Sequence, residues 1–187
     1  MAKVLRRYES TIYGNYRSYY CRWGVVIGFL LWVVLMGEWF LFADKGTFSP
    51  NSMFVELALS VFVFVAVRRY RKQLPEEKVT LKELMYVGLG ASVVAAVIYG
   101  LIIWLTAGVI IPDWNNAFID GRIAVMDPAD VSADAKIAVE KVRLYSAGDW
   151  GFIGGFRIAV WSVLVSFIAA LVFRTEKAPV KSKSPKN

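Results

Sequence analysis

Hydrophobic positions along this chain fall into long uncharged or nearly uncharged runs, separated by shorter charged segments. The longest run, residues 84–111, has 28 residues without a charge. About 20 apolar residues cross the hydrocarbon core of a bilayer, so this run predicts a membrane-spanning helix. Its length at helical rise would be about 42 Å against a core of about 30 Å. We therefore expect the helix to tilt, protrude or break near Gly108.

Three further apolar runs complete the pattern, and the predicted spans are residues 23–43, 52–69, 83–111 and 150–173. The second span is short, and Arg68 and Arg69 at its end can extend their charged groups to the interface to lengthen it. The predicted fold class is all-α, an integral membrane bundle of four transmembrane helices.

Capping and turn residues predict where the helices begin and end. Thr80 and Glu83 have the spacing of a capping box for the long central span. The segment 112–149 is the sizeable non-membrane part, and residues 131–145 within it carry apolar side chains at helical spacing. We expect a short amphipathic helix there, ended by Gly148, in an extracytoplasmic loop.

The distribution of charge predicts the topology. Lys and Arg number 5 in residues 1–22, 6 in residues 68–83 and 5 in residues 174–187. The positive-inside rule places these segments, and both termini, in the cytoplasm. Residues 1–22 are a Tyr-rich arm whose cations can meet anionic lipid, and residues 174–187 are a tail predicted to be disordered. The net charge of +7 is explained by topology, so we expect no nucleic-acid partner.

The composition excludes several kinds of chemistry. The chain has no His and a single Cys, Cys21. It therefore lacks the commonest general base and metal ligand, and it cannot form an internal disulfide or a CxxC site. A hydrolase built on a Ser-His or Cys-His pair is excluded, and only carboxylate chemistry would remain for an enzyme. We predict no catalytic residue, no metal and no cofactor.

Small residues recur along one face of the third and fourth spans. The positions are Gly88, Ser92, Ala96, Gly100, Gly155, Ala159, Ser162 and Ser166. A GxxxG, Gly24 to Gly28, opens the first span. In lipid, small residues let helix backbones approach closely. Two interpretations stay open: packing within one bundle, or a face for oligomerisation or for a partner subunit.

Three charged residues fall inside the predicted spans and away from the terminal residues of those spans: Glu38, Glu56 and Arg157. Counted from the helix ends, all three lie in one layer about 6 to 11 Å inside the outer boundary. Charges within a membrane are costly and are usually paired or functional. We hypothesise an ion-pair cluster of Arg157 with Glu38, Glu56 or both. Either the cluster fixes helix register, or each residue reaches the interface separately, or one Glu titrates during transport.

Residues 68–114 carry a resemblance to a known family. A basic loop is followed by KVTLKELMYVGLGASVVAAVIYGLIIW and by an Ile-Pro-Asp-Trp exit into the long loop. This pattern, which extends over about residues 20–175, resembles the four-span inner-membrane family catalogued as domain of unknown function number forty-one ninety-nine, common in Bacteroidota. The resemblance implies a bacterial inner-membrane location and four helices. It supplies no activity and no site residues.

The function predicted from these features is that of a non-enzymatic subunit or scaffold. It would pack with itself, as a homo-oligomer, or with a larger membrane complex. The alternative is a small oligomeric transporter or channel that uses the charges of Glu38, Glu56 and Arg157.

Overall fold

The structure is a computed structural model that describes residues 2–42, 53–74, 79–116, 119, 137 and 140–174. The regular elements among these residues are all helical. They are α1 (Ala2–Phe42), α2 (Met53–Gln73), α3 (Leu81–Leu105), a π-helical turn (Thr106–Ile110) and α4 (Ala147–Phe173). Within the described residues, three helices are long and apolar enough to cross a membrane: Arg17–Phe42, Leu81–Ile110 and Ala147–Phe173. The all-helical fold class is confirmed, and these three helices agree with the first, third and fourth predicted spans.

The first helix is longer than the first predicted span. α1 is continuous over 41 residues, so the basic segment predicted as an arm and the first span form one helix. No proline interrupts the chain before Pro50, and nothing else in the sequence forces a break. At helical rise α1 is about 60 Å long, which is about twice the thickness of a hydrocarbon core. Its N-terminal part therefore extends beyond the bilayer.

Capping boxes define the starts of α3 and α4. The prediction for α3 is confirmed, because the Thr80 hydroxyl accepts from the Glu83 amide at 3.3 Å and the Glu83 carboxylate accepts from the Thr80 amide at 2.7 Å. A second capping box joins Ser146 and Asp149 at the start of α4. The prediction that Gly148 ends a preceding helix is wrong, since Gly148 lies in the first turn of α4.

The predicted amphipathic helix at residues 131–145 falls mostly outside the described residues. Of its described residues, 137 and 140–142 are helical, and 143–144 form a turn.

The long central span does change geometry near the expected position. α-Helical geometry ends at Leu105, and the chain continues as a π-helical turn in which the Ile111 amide donates to the Thr106 carbonyl at 2.7 Å. The Thr106 hydroxyl donates to the Ile102 carbonyl at 2.8 Å and accepts from the Trp32 indole at 3.0 Å. A side-chain hydroxyl bonded to the preceding turn perturbs a helix, and here an indole from α1 holds that hydroxyl in place.

α3 is the centre of the bundle. Its most extensive contacts are with α4 and with α1, while α2 makes smaller contacts with all three other helices. α1 and α3 approach closely through glycine. A Cβ added at Gly24 would lie 2.6 Å from the Ala91 carbonyl oxygen, and one added at Gly28 would lie 2.9 Å from the Ala95 carbonyl oxygen. The GxxxG of α1 therefore packs against α3 within the chain.

Candidate functional site

The two stripes of small residues face each other across the α3–α4 interface. A Cβ added at Gly100 would lie 2.7 Å from the Gly151 carbonyl oxygen, and one added at Gly155 would lie 3.6 Å from the Gly100 Cα. Nearer the other end, a Cβ at Gly88 would lie 2.8 Å from the Ser166 Cβ. Of the other members, Ser92, Ala96 and Ser162 are buried and Ala159 is half-buried. The structure therefore supports the interpretation in which the stripes pack the bundle internally.

One edge of this interface stays open as a groove. It has a volume of about 640 Å³ and is lined by residues of α3 and α4. Gly100 and Gly155 lie along it, and Trp104, Phe152 and Phe156 border it. Its lining carries no charged or hydrogen-bonding side chain apart from the Trp104 indole. In a bilayer, lipid acyl chains are sufficient to fill such a surface.

The structure brings together two of the three charged residues that the sequence placed in one layer. The Arg157 guanidinium on α4 donates to the Glu56 carboxylate on α2 in a salt bridge. The Arg157 side chain is 32% exposed and the Glu56 side chain 21% exposed. The pair is thus only partly covered by the bundle.

A second polar contact lies one helical turn from the ion pair. The Trp161 indole donates to the Ser60 hydroxyl at 3.2 Å, and this hydroxyl donates to the Glu56 carbonyl at 2.9 Å. Because Ser60 follows Glu56 by four residues and Trp161 follows Arg157 by four, both contacts lie along one line between α2 and α4. We call these four residues the polar seam. Sequence reasoning did not identify Trp161. Its position four residues after Arg157 is the feature of the sequence that could have placed it on the same helix face.

Glu38 and Tyr99 complete the layer on the other two helices. Glu38 on α1 is buried, with 8% of its surface exposed, and Tyr99 on α3 is 2% exposed. Glu38 and Arg157 both lie near enough to Tyr99 for their charges to act on its phenol group. Together with Glu56 on α2 and Arg157 on α4, they give the layer one ionisable side chain from each of the helices α1 to α4. Sequence reasoning missed Tyr99, because the feature that distinguishes it in the sequence is only a phenol group within an uncharged run.

Aromatic contacts fix α2 against α1 at the opposite end of the bundle. The Tyr19 hydroxyl donates to the Ala66 carbonyl at 2.7 Å, and the Tyr19 and Tyr70 rings are 5.1 Å apart. The Arg69 guanidinium lies 5.4 Å from the centre of the Trp23 ring, a cation–π distance. α2 is therefore held at both ends, by the ion pair at one and by this cluster at the other.

A separate aromatic cluster closes the end of the bundle near the start of α4. Trp39 and Trp114 stack with their rings 4.9 Å apart, and Trp114 is 1% exposed. Asn115 accepts from the Trp150 indole and donates to the Tyr145 carbonyl. These contacts tie the chain after the π-helical turn to the first turn of α4.

The chemistry available at the seam is limited to one carboxylate, one guanidinium, one hydroxyl and one indole. Within the described residues, no group of three or more His, Cys, Asp and Glu side chains is placed to hold a metal ion. The seam can form charged hydrogen bonds, in which its guanidinium donates and its carboxylate accepts.

Apolar helices long enough to span a bilayer, packed against each other through small residues, define the class as a helical membrane protein. Residues 22–175 match the family described as "Protein of unknown function (DUF4199)", and the chain belongs to this family. The match confirms the family that the sequence resembled. Neither a curated protein nor a solved structure matches the chain.

Proposed function

We propose that this protein is a non-enzymatic subunit or scaffold of the bacterial inner membrane that packs against another polypeptide within the bilayer. Four spans with both termini in the cytoplasm are part of the proposal. The observation that carries it is the partly exposed ion pair of Glu56 and Arg157.

The contacts of α2 support its role as a fourth span. Along α2, the buried apolar residues recur at intervals of four: Val55, Leu59, Val63 and Val67. The end of α2 that carries Glu56 forms a salt bridge with α4, and the Ala66 carbonyl accepts a hydrogen bond from α1. A helix of 21 residues held lengthwise against spanning helices crosses the same layer as they do. Among its first 18 residues, Glu56 is paired with Arg157, and the other two charges, Arg68 and Arg69, lie near its end, where they can reach the interface.

The exposure of the ion pair supports a protein neighbour. At about 6 to 11 Å inside the boundary, the uncovered part of the pair would face lipid in an isolated bundle. Placing a charged side chain at the centre of a spanning helix costs about 2.5 to 3.5 kcal/mol on translocon-based scales, and less towards the interface. A neighbouring polypeptide that covers the pair and offers hydrogen bonds removes part of this cost. A subunit or scaffold has such a neighbour.

The orientation can be tested by labelling. In a Cys21→Ser background, the variants Met53→Cys and Lys72→Cys put single cysteines at the two exposed ends of α2. On intact cells, a membrane-impermeant maleimide is expected to label Met53→Cys and to leave Lys72→Cys unlabelled until the cells are opened. Equal labelling of both cysteines on intact cells would show that α2 does not cross the membrane.

Association can be tested by extracting the full chain into lipid nanodiscs and weighing the particles. We expect either a multiple of the 21.0 kDa chain or a second protein in fixed stoichiometry. Particles that hold one 21.0 kDa chain and no other protein would contradict the proposed function.

A small oligomeric transporter is the second candidate, and the layer of Glu38, Glu56, Tyr99 and Arg157 favours it. The Glu38 and Glu56 carboxylates and the Tyr99 hydroxyl are groups that can pass a proton at one depth, with Arg157 as a fixed positive charge beside them. Proton flux into liposomes that contain the protein tests this candidate. Flux that Glu56→Gln abolishes would support it, and the absence of flux in the unaltered protein would exclude it.

A further inference from the structure

We infer that the polar seam is the surface on which a second copy of this chain packs, with the two seams facing each other across a two-fold axis perpendicular to the membrane. This inference rests on the proposed function, because it names the neighbour and the surface that the proposed function requires.

The other packing features of the bundle are already used within one chain. The GxxxG of α1 is filled by α3, and the two small-residue stripes are filled by each other. The seam differs, because Glu56, Arg157 and Trp161 are all partly exposed while they carry polar groups at membrane depth. In lipid, polar groups at a surface drive helix association, since hydrocarbon offers them no hydrogen bonds.

The seam is complementary to a copy of itself. Two copies inserted in the same orientation place their seams at the same depth, so the ion-pair layers meet each other. Each layer carries one negative and one positive group, so Glu56 of one copy can face Arg157 of the other. The four charges then sum to zero, with every charge next to opposite charges.

The hydrogen-bonding capacity of the seam also allows this arrangement. A guanidinium has five N–H donors, and toward the described residues Arg157 makes one hydrogen bond, to Glu56. The remaining donors can reach the partner's carboxylate. Exposed apolar side chains lie within one helical turn of the seam on both helices, namely Leu57, Val61, Val160 and Leu164. They would surround the polar centre with apolar contacts, as in a well-packed interface.

Charge reversal in the full chain tests the inference. Glu56→Arg alone or Arg157→Glu alone puts four like charges at the two-fold axis, and we expect the dimer fraction in liposomes to fall at least roughly tenfold. The combined variant, Glu56→Arg with Arg157→Glu, restores opposite pairs within and between chains. We expect this combined variant to form the dimer again. Its result tests the inference even if a variant with a single charge reversal fails to fold. A combined variant that is monomeric while still helical and membrane-inserted would overturn the inference.

Cysteine cross-linking locates the surface. In the Cys21→Ser background, Leu57→Cys and Leu164→Cys border the seam, while Val97→Cys in the groove between α3 and α4 is the matched control at a similarly exposed site. A short bifunctional maleimide is expected to give dimers from the two seam variants and monomers from the control.

Three other outcomes separate this inference from the proposed function. If only the groove variant, Val97→Cys, is cross-linked, the chain self-associates through a surface other than the seam. That result would overturn the inference and leave the proposed self-association standing. A different protein in fixed stoichiometry, without a second copy, would overturn the inference and leave the proposed function intact. A lone chain in every lipid and detergent would overturn both.

Discussion

Replacing Gly100 with Ala is expected to lower the free energy of unfolding by about 1 to 3 kcal/mol, the usual range for overpacking a tight interface. The added Cβ would lie 2.7 Å from the Gly151 carbonyl oxygen, a distance that real Cβ atoms do not adopt. The obstructing atom belongs to the backbone of α4, so no side chain can turn aside to make room. The α3–α4 interface, the most extensive in the bundle, would have to widen.

Gly37→Ala is the matched control for this substitution. Both glycines lie within membrane helices, but a Cβ added at Gly37 meets no non-neighbouring atom of the described chain within 4 Å. Alanine is also the better helix former, by about 1 kcal/mol in water, so this variant is expected to be as stable as the unaltered protein or more so. Unfolding in mixed micelles, followed by circular dichroism, measures both. Equal stability of the two variants would show that α3 and α4 are not in backbone contact at Gly100.

Replacing Arg157 with Met is the second substitution with a large expected effect. It leaves the partly covered Glu56 carboxylate without its partner, and the exposure of the ion pair is intermediate between that of exposed pairs and that of fully buried ones. Because the exposure of the pair lies between those two classes, we expect the free energy of unfolding to fall by about 1 to 3 kcal/mol. The combined variant Arg157→Met with Glu56→Leu removes both charges, and it should regain most of the lost stability because no isolated charge remains.

The control for this effect is an ion pair outside the membrane helices. Arg143 and Glu140 form a salt bridge three residues apart, with side chains 41% and 59% exposed. Arg143 also donates to the Asn116 side chain at 3.5 Å. Because both contacts are exposed, Arg143→Met should cost no more than about 1 kcal/mol. Unfolding measured for the four variants of the Glu56–Arg157 cycle gives the coupling energy directly. A coupling energy of the Glu56–Arg157 pair no larger than about 0.5 kcal/mol, a value usual for exposed pairs, would show that the seam does not hold α2 on α4.

The parts of the fold that the sequence could predict rest on strong local signals. An uncharged run of 28 residues has few alternatives to a membrane helix, and Thr80 with Glu83 is a local motif whose partners are three residues apart. The pairing of Arg157 with Glu56 was a hypothesis that followed from the cost of isolated charges in lipid. The structure places these two side chains in contact.

The features that the sequence left open depend on which helix faces which. Gly148 has the local chemistry of a helix end, but the Ser146–Asp149 capping box makes it part of the next helix. The small-residue stripes fit internal and external packing equally well until neighbouring backbones are placed beside them. Tyr99 lies near charged residues of α1 and α4, and Trp161 donates to Ser60 on α2. Spacing places Trp161 on the same face as Arg157, but it does not show which helix lies opposite that face.

A polar seam covered by a second copy of the chain requires two chains in each particle. Single-molecule photobleaching counts the fluorescent chains per particle after extraction directly from the membrane into nanodiscs. We expect two chains of 21.0 kDa per particle for the unaltered protein, one chain for Arg157→Glu, and two chains again when Glu56→Arg is added. One chain per particle for the unaltered protein and for all variants would contradict this expectation.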